Sequence, residues 1–143
     1  MRVRRVVHAA NSTLVRDLMS RSVVRGDPRN SLVEAAAEMR THRIGALAVV
    51  DEGAIVGIIT ERDLLRAIAD RRDPGQTHVS QYMTHSPRTI EASEPAATAA
   101  AVMVKHRVRH LPVTEKGRLV GFLSARDLLA LKPWPELPIG EAW

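Results

Sequence analysis

"HRIGALAVVDEGAIVGIITERDLL" occupies residues 42–65, and "HRVRHLPVTEKGRLVGFLSARDLL" occupies 106–129. The offset is 64 residues throughout and needs no gap. Eleven of the 24 pairs are identical, and several others exchange Ile with Val, Ile with Leu, Thr with Ser or Asp with Glu. Unrelated stretches of ordinary composition would agree at roughly one position in fifteen. The chain therefore carries an internal duplication, and the match runs outward from it: Val15 meets Val79, Met19 meets Met83 and Met39 meets Met103.

Each copy predicts the same elements. "SLVEAAAEMRTHR" (31–43) is Ala-rich with apolar residues at helical spacing. Asn30 or Ser31 is its expected N-cap, with Glu34 in the first turn. "IGALAVVD", "EGA" and "IVGIIT" then read as strand, turn and strand, which is a hairpin signal. "ERDLLRAIADRR" (61–72) is a second helix. The other copy repeats the order through "ATAAAVMVKHR", "VRHLPVTEKGRLVGFLS" and "ARDLLALK", which Pro133 cuts short. Pro112 is expected to confine its strand to an edge or a bulge. His42-Arg43 and His106-Arg107 are expected to end their helices, where cations suit the dipole. The fold class is α/β, with two pseudo-twofold-related repeats of β-α-β-β-α type packed sheet to sheet, because neither half can cover its own sheet. The expected division is a basic tail or helix over 1–14, repeats over 15–72 and 79–132, a linker over 73–78 and a Pro/Trp tail over 133–143.

Composition narrows the function. The chain has 143 residues, 45% hydrophobic and 26% charged, which is a globular balance. It has no Cys, which excludes disulfides, thiolate metal sites and cysteine nucleophiles and fits a reducing, cytoplasmic setting. No apolar run approaches the roughly 20 residues of a membrane span. The net charge of +5 favours anionic partners. There is no Gly-x-Ser-x-Gly elbow, Walker loop or His-Glu-x-x-His pair, so no catalytic constellation stands out. His106 and His110 are four apart but straddle a helix end and a strand, and no metal is expected. Scattered aromatics offer no base-stacking platform, which makes nucleic acid an unfavoured partner.

Thr60-x-x-Asp63 and Ser124-x-x-Asp127 match a capping box, which accounts for the hydroxyl and the acid. It leaves Arg62, Arg126, Gly57 and Gly121 unexplained. A ligand explains more: a helix N-terminus with a neighbouring Arg suits phosphate. Asp oxygens can accept ribose hydroxyls, and a Gly without Cβ would let a planar base approach the backbone.

With "VRDLMS" and "VSQYMT" at the unit starts and Gly-x-x-Thr/Ser-x-x-Asp in both copies, the chain resembles the tandem CBS domain pair, or Bateman module, over about 15–131. The resemblance implies a non-catalytic sensor with two clefts for adenosine derivatives: AMP, ADP or ATP, with NAD(H) or S-adenosylmethionine as further candidates. No cofactor is required, and a homodimer acting on a separate regulated protein is implied. It assigns Ile58, Thr60, Arg62 and Asp63, with Arg88, Arg109 and His110, to the first cleft. To the second it assigns Phe122, Ser124, Arg126 and Asp127, with Val24, Gly45 and Ala46. Because Arg109-His110 is basic where Gly45-Ala46 is not, the first cleft is expected to hold phosphate more tightly. The alternatives are a basic nucleic-acid-binding protein and a structural dimerisation module with vestigial clefts.

Overall fold

The computed structural model describes residues 12–131. The expected basic N-terminal tail falls largely outside these residues, and the Pro/Trp tail entirely so. In chain order the elements are α1 (Val15–Leu18), β1 (Arg25–Gly26), α2 (Leu32–His42), β2 (Ala46–Asp51), β3 (Ala54–Thr60) and α3 (Glu61–Ala69). After the 3₁₀ turn Val79–Gln81 come β4 (Thr84–His85), β5 (Ile90–Glu91), α4 (Ala96–His106), β6 (His110–Glu115), β7 (Arg118–Ser124) and α5 (Ala125–Leu128).

Local chemistry sets the boundaries. Ser31 is the N-cap of α2: its Oγ accepts from Glu34 N at 3.1 Å, and a Glu34 carboxylate oxygen accepts from Ser31 N at 3.3 Å. Asn30 instead closes the preceding turn by accepting from Asp27 N. Arg43 and Arg107 follow α2 and α4 in the left-handed conformation, with φ of 54° and 53°, so the His-Arg pairs do end their helices. Both hairpins turn on two residues of positive φ, Glu52-Gly53 and Lys116-Gly117, the geometry whose twist matches the flanking strands. The second helix of each repeat is shorter than its pattern predicts. α3 stops at Ala69 and α5 after four residues.

The sheets are ordered β1-β2-β3-β4 and β5-β6-β7, with β1 and β5 parallel to their neighbours and the other pairs antiparallel. β3 and β7 bring the two sheets into contact. Pro112 is not on an edge: β6 is the middle strand, and Pro112 is buried opposite Phe122. Phe122 uses both its N–H and its C=O on Ser20, so it asks nothing of Pro112. On the other side, the ladder to β5 begins only at Ile90↔Val113. The missing N–H is therefore not required there. The register irregularity one residue on, at Val113/Thr114, has a twin at Val49/Val50 without a proline.

The leading segment of each repeat crosses to the other. Val15 is fully buried with Ile90, Met103, Leu111, Val113, Leu123 and Leu128, all from the second repeat. Val79 and Met83 complete the core of Leu32, Met39, Leu47, Val49, Ile59 and Ala67 in the first. β4 pairs with β3, as Ser20 pairs with Phe122 of β7. Leu14 bridges Pro95 as His78 bridges Ser31, again 64 apart. The pseudo-twofold relation is built from exchanged segments.

Candidate functional site

The strand-to-helix junctions Thr60–Asp63 and Ser124–Asp127 lie at matching places in the two repeats. Thr60 N donates to Asp63 Oδ2 at 2.8 Å, while Thr60 Oγ1 accepts weakly from Asp63 N at 3.4 Å. Ser124 N donates to Asp127 Oδ2 at 2.8 Å, and Ser124 Oγ accepts from Asp127 N at 3.2 Å. The capping box is therefore real in both copies, and it engages one carboxylate oxygen of each acid. Asp63 Oδ1 has Arg66 at 3.5 Å. Asp127 Oδ1 makes no hydrogen bond or ion pair among the described residues. Both acids are half-buried.

Each junction opens onto a cleft. The first has a volume of about 1070 Å³, and its lining includes Ile58, Thr60, Arg62, Asp63, Arg88, Arg109 and His110, all seven residues expected of it. The second, of about 1030 Å³, is lined by Gly45, Ala46, Phe122, Ser124, Arg126 and Asp127 among others. Val24 is the exception. It packs partly buried against the first repeat's core and is not in the lining of the second cleft. Its counterpart Arg88 has a long stem that reaches the first.

Gly57 and Gly121 do not serve the role the sequence suggests. Neither lines a cleft. A Cβ on Gly57 would stand 2.5 Å from Met83 Sδ and 3.0 Å from the Thr84 carbonyl oxygen. On Gly121 it would meet Met19 Sδ and lie 3.0 Å from the Ser20 carbonyl oxygen. The glycines are needed because the exchanged segment crosses directly over them.

The charge argument for a tighter first cleft also falls. Arg109 and His110 line both clefts, as do Gly45 and Glu61. The second cleft gains Arg40 and Arg43 from the end of α2, where the first gains Arg107. Each thus has four arginines against two acids: Arg62, Arg88, Arg107 and Arg109 against Glu61 and Asp63, or Arg40, Arg43, Arg109 and Arg126 against Glu61 and Asp127. Sequence reading missed Arg40, Arg43, Arg107 and Glu61 as lining residues. Their signal was only a helix end or a helix start, which does not reveal what lies opposite.

His110 stacks on Phe122 with ring centroids 5.9 Å apart. Burial holds its imidazole below the usual histidine range; Glu61 opposes that, Arg109 adds to it and Asp127 opposes it. His106 is lowered as well, by burial and then by Arg88 and Lys105. Among the described residues no group of three or more His, Cys, Asp or Glu is placed to hold a metal ion. The arrangement is suited to a planar, anionic ligand: apolar and ring surfaces, a carboxylate oxygen left for hydroxyl donors, and guanidinium groups for phosphate.

The CBS domain family matches twice, over residues 15–70 and 79–132. The chain belongs to the CBS-domain family. The CBS domain-containing protein YhcV of Bacillus subtilis is 36% identical over 115 residues, covering 80% of this chain and 81% of YhcV. The crystal structure of the CBS-domain protein ATU1752 from Agrobacterium tumefaciens superposes with a TM-score of 0.77 at 38% identity, covering 82% of this chain and 97% of that one. The CBS domain pair of protein MJ0100, 32% identical, has a TM-score of 0.76 and covers 82% of this chain and 93% of its own. It was solved in complex with 5′-methylthioadenosine and S-adenosyl-L-methionine. As a CBS pair, this chain is of a regulatory module type, with α/β repeats as its sequence predicts.

Proposed function

We propose that this protein is a non-catalytic sensor that binds an adenosine nucleotide of the AMP, ADP or ATP class in one or both clefts. One observation carries the reading. At each cleft wall a half-buried aspartate gives only one oxygen to its helix cap, within a lining of four arginines. The remaining oxygen suits ribose hydroxyls, and the guanidinium groups suit phosphate. The adenosine ligands of the MJ0100 pair support the same class. Because that pair holds S-adenosyl-L-methionine, this ligand and NAD(H) belong in the test beside the nucleotides.

Sensing requires that the ligand favour one packing of the protein over another. Exposed apolar side chains on the helices include Leu65 and Ile68 of α3, Val104 of α4 and Val33 of α2, and of these Leu65 also lines the first cleft, which places it where ligand and helix packing meet. A homodimer that covers Leu65 and Ile68, working in the cytoplasm on a separate protein, completes the proposal. No helix among the described residues is long and apolar enough to cross a membrane.

A thermal-shift panel of AMP, ADP, ATP, NADH and S-adenosylmethionine tests the ligand. A ligand at 100 times its Kd should stabilise by about 2.7 kcal/mol. No shift with any of the five would leave the dimerisation module as the better reading. Retention of single-stranded DNA or RNA with a steep salt dependence would favour the nucleic-acid one. Light scattering of the wild type and of Leu65→Glu/Ile68→Glu tests the dimer, which the double variant should dissociate.

A further inference from the structure

The clefts are not separate compartments. Gly45 and Glu61 from the first repeat, with Arg109 and His110 from the second, line both of them. These residues sit at the pseudo-twofold axis. The offset of 64 pairs Gly45 with Arg109, Ala46 with His110 and Glu61 with Ala125. The backbone keeps the symmetry: Glu61 N donates to the Gly45 carbonyl at 2.9 Å, and Ala125 N donates to the Arg109 carbonyl at 2.8 Å. The side chains break it. One guanidinium stands where a symmetric pair would have two or none.

We propose that the two clefts compete for Arg109, so that occupation of one by a phosphate-bearing ligand weakens binding in the other. The proposal rests on the nucleotide reading above and adds regulation within the protein to it. Arg109 is exposed and forms no ion pair among the described residues, so it is available to either side. A guanidinium that turns its bidentate edge to the phosphate of one cleft leaves only its remaining donors for the other. Two ligands drawn to one cation also bring their own negative charges together. Glu61, matched by an uncharged alanine in the other repeat, lines both clefts and raises the need of each for the shared cation. The remaining arginines are divided between the clefts, so each retains a site when Arg109 is engaged elsewhere. The result is two unequal affinities from two clefts of equal charge.

Calorimetric titration with AMP, and separately with ATP, tests this on the full chain. One cleft is disabled at a time, the first by Arg62→Ala with Asp63→Asn, the second by Arg126→Ala with Asp127→Asn. The Asn variants retain an oxygen for the helix cap. Adding Arg109→Ala should weaken both single-cleft proteins by about tenfold or more, the scale of a charged hydrogen bond. In the intact protein the second ligand should bind at least about fivefold more weakly than the same cleft binds alone. Arg109→Ala should bring that ratio close to one. Independent sites in the intact protein, or a loss confined to one single-cleft variant, would overturn the sharing while leaving the nucleotide reading in place. Absence of binding to the intact protein would overturn both.

Discussion

Replacing Gly57 by alanine adds one methyl group beneath the exchanged segment. Its Cβ would lie 2.5 Å from Met83 Sδ, 3.0 Å from Met83 Cγ and 3.0 Å from the Thr84 carbonyl oxygen. A surface methionine would swing aside. Met83 cannot do so freely, being only 9% exposed and packed in the core with Val79 and Ile59. The carbonyl of Thr84 is fixed as well, since Thr84 is paired to Ile58 and His85 to Gly57. The strain is thus shared between a buried side chain and a strand, and overpacking of this kind costs about 1–3 kcal/mol. For a chain of this length each kcal/mol corresponds to about 3 °C, so the melting temperature should fall by about 3–9 °C. Urea denaturation and thermal melts measure it. Gly121→Ala should cost a similar amount, because Met19 and Ser20 stand over it in the same way. The decisive control is Met83→Ala, in whose background the added methyl should cost clearly less than in the wild type, since only the Thr84 carbonyl then remains above it and coupled neighbours do not add. Equal costs in both backgrounds would refute the steric account. A loss of nucleotide affinity with unchanged stability would restore the base-approach reading of this glycine.

Asp63→Ala should destabilise more than Thr60→Ala, within the range of about 0.5–2 kcal/mol for caps, because the Asp63 oxygen accepts at 2.8 Å while the threonine oxygen accepts at 3.4 Å; the reverse order in urea midpoints would count against the cap geometry. His110 has a lowered folded-state pKa, so its contribution to stability is present above the ordinary value of 6.5 and is lost as pH falls through the folded value. Wild-type melting temperature should therefore fall faster below pH 6.5 than that of His110→Asn, and parallel pH profiles would refute this. An anion in either cleft should favour the imidazolium, so AMP binding at pH 6 should take up more protons in the wild type than in His110→Asn, as read by calorimetry in two buffers. A fragment spanning 76–131 should associate in pairs, its Val79 and Met83 filling in a partner the place held here by Val15 and Met19; a folded monomer on light scattering would contradict the segment exchange.

Much of the architecture was legible because it is encoded locally. The repeat shows as a gapless offset of 64 residues, and α2 and α4, both hairpins and both capping boxes depend on residues no more than a few positions apart. What escaped was set by partners far along the chain. β1, β4 and β5 have two residues each and no periodicity to read. The role of Gly57 depends on Met83, 26 positions later, and the tolerance of Pro112 depends on Ser20 occupying the backbone of Phe122. The seven residues assigned to the first cleft all line it, since most belong to the motif or the strand start of the other repeat. Val24 misled because its place in the order matched Arg88 while its length did not. Arg40 and Arg43 were read as helix-end cations, and only tertiary packing turns them toward the second cleft.

The exchanged segments also govern the order in which a ribosome can deliver a finished protein. Leu32 to Ala67 emerge before Val79 and Met83, so the nascent first half must wait with a hollow where those side chains will lie. Val15, among the earliest of these residues synthesised, is buried against Leu123 and Leu128, among the last. Its burial awaits synthesis of the second repeat, and until then the growing chain exposes apolar surface that a chaperone, or a neighbouring nascent copy, is free to occupy.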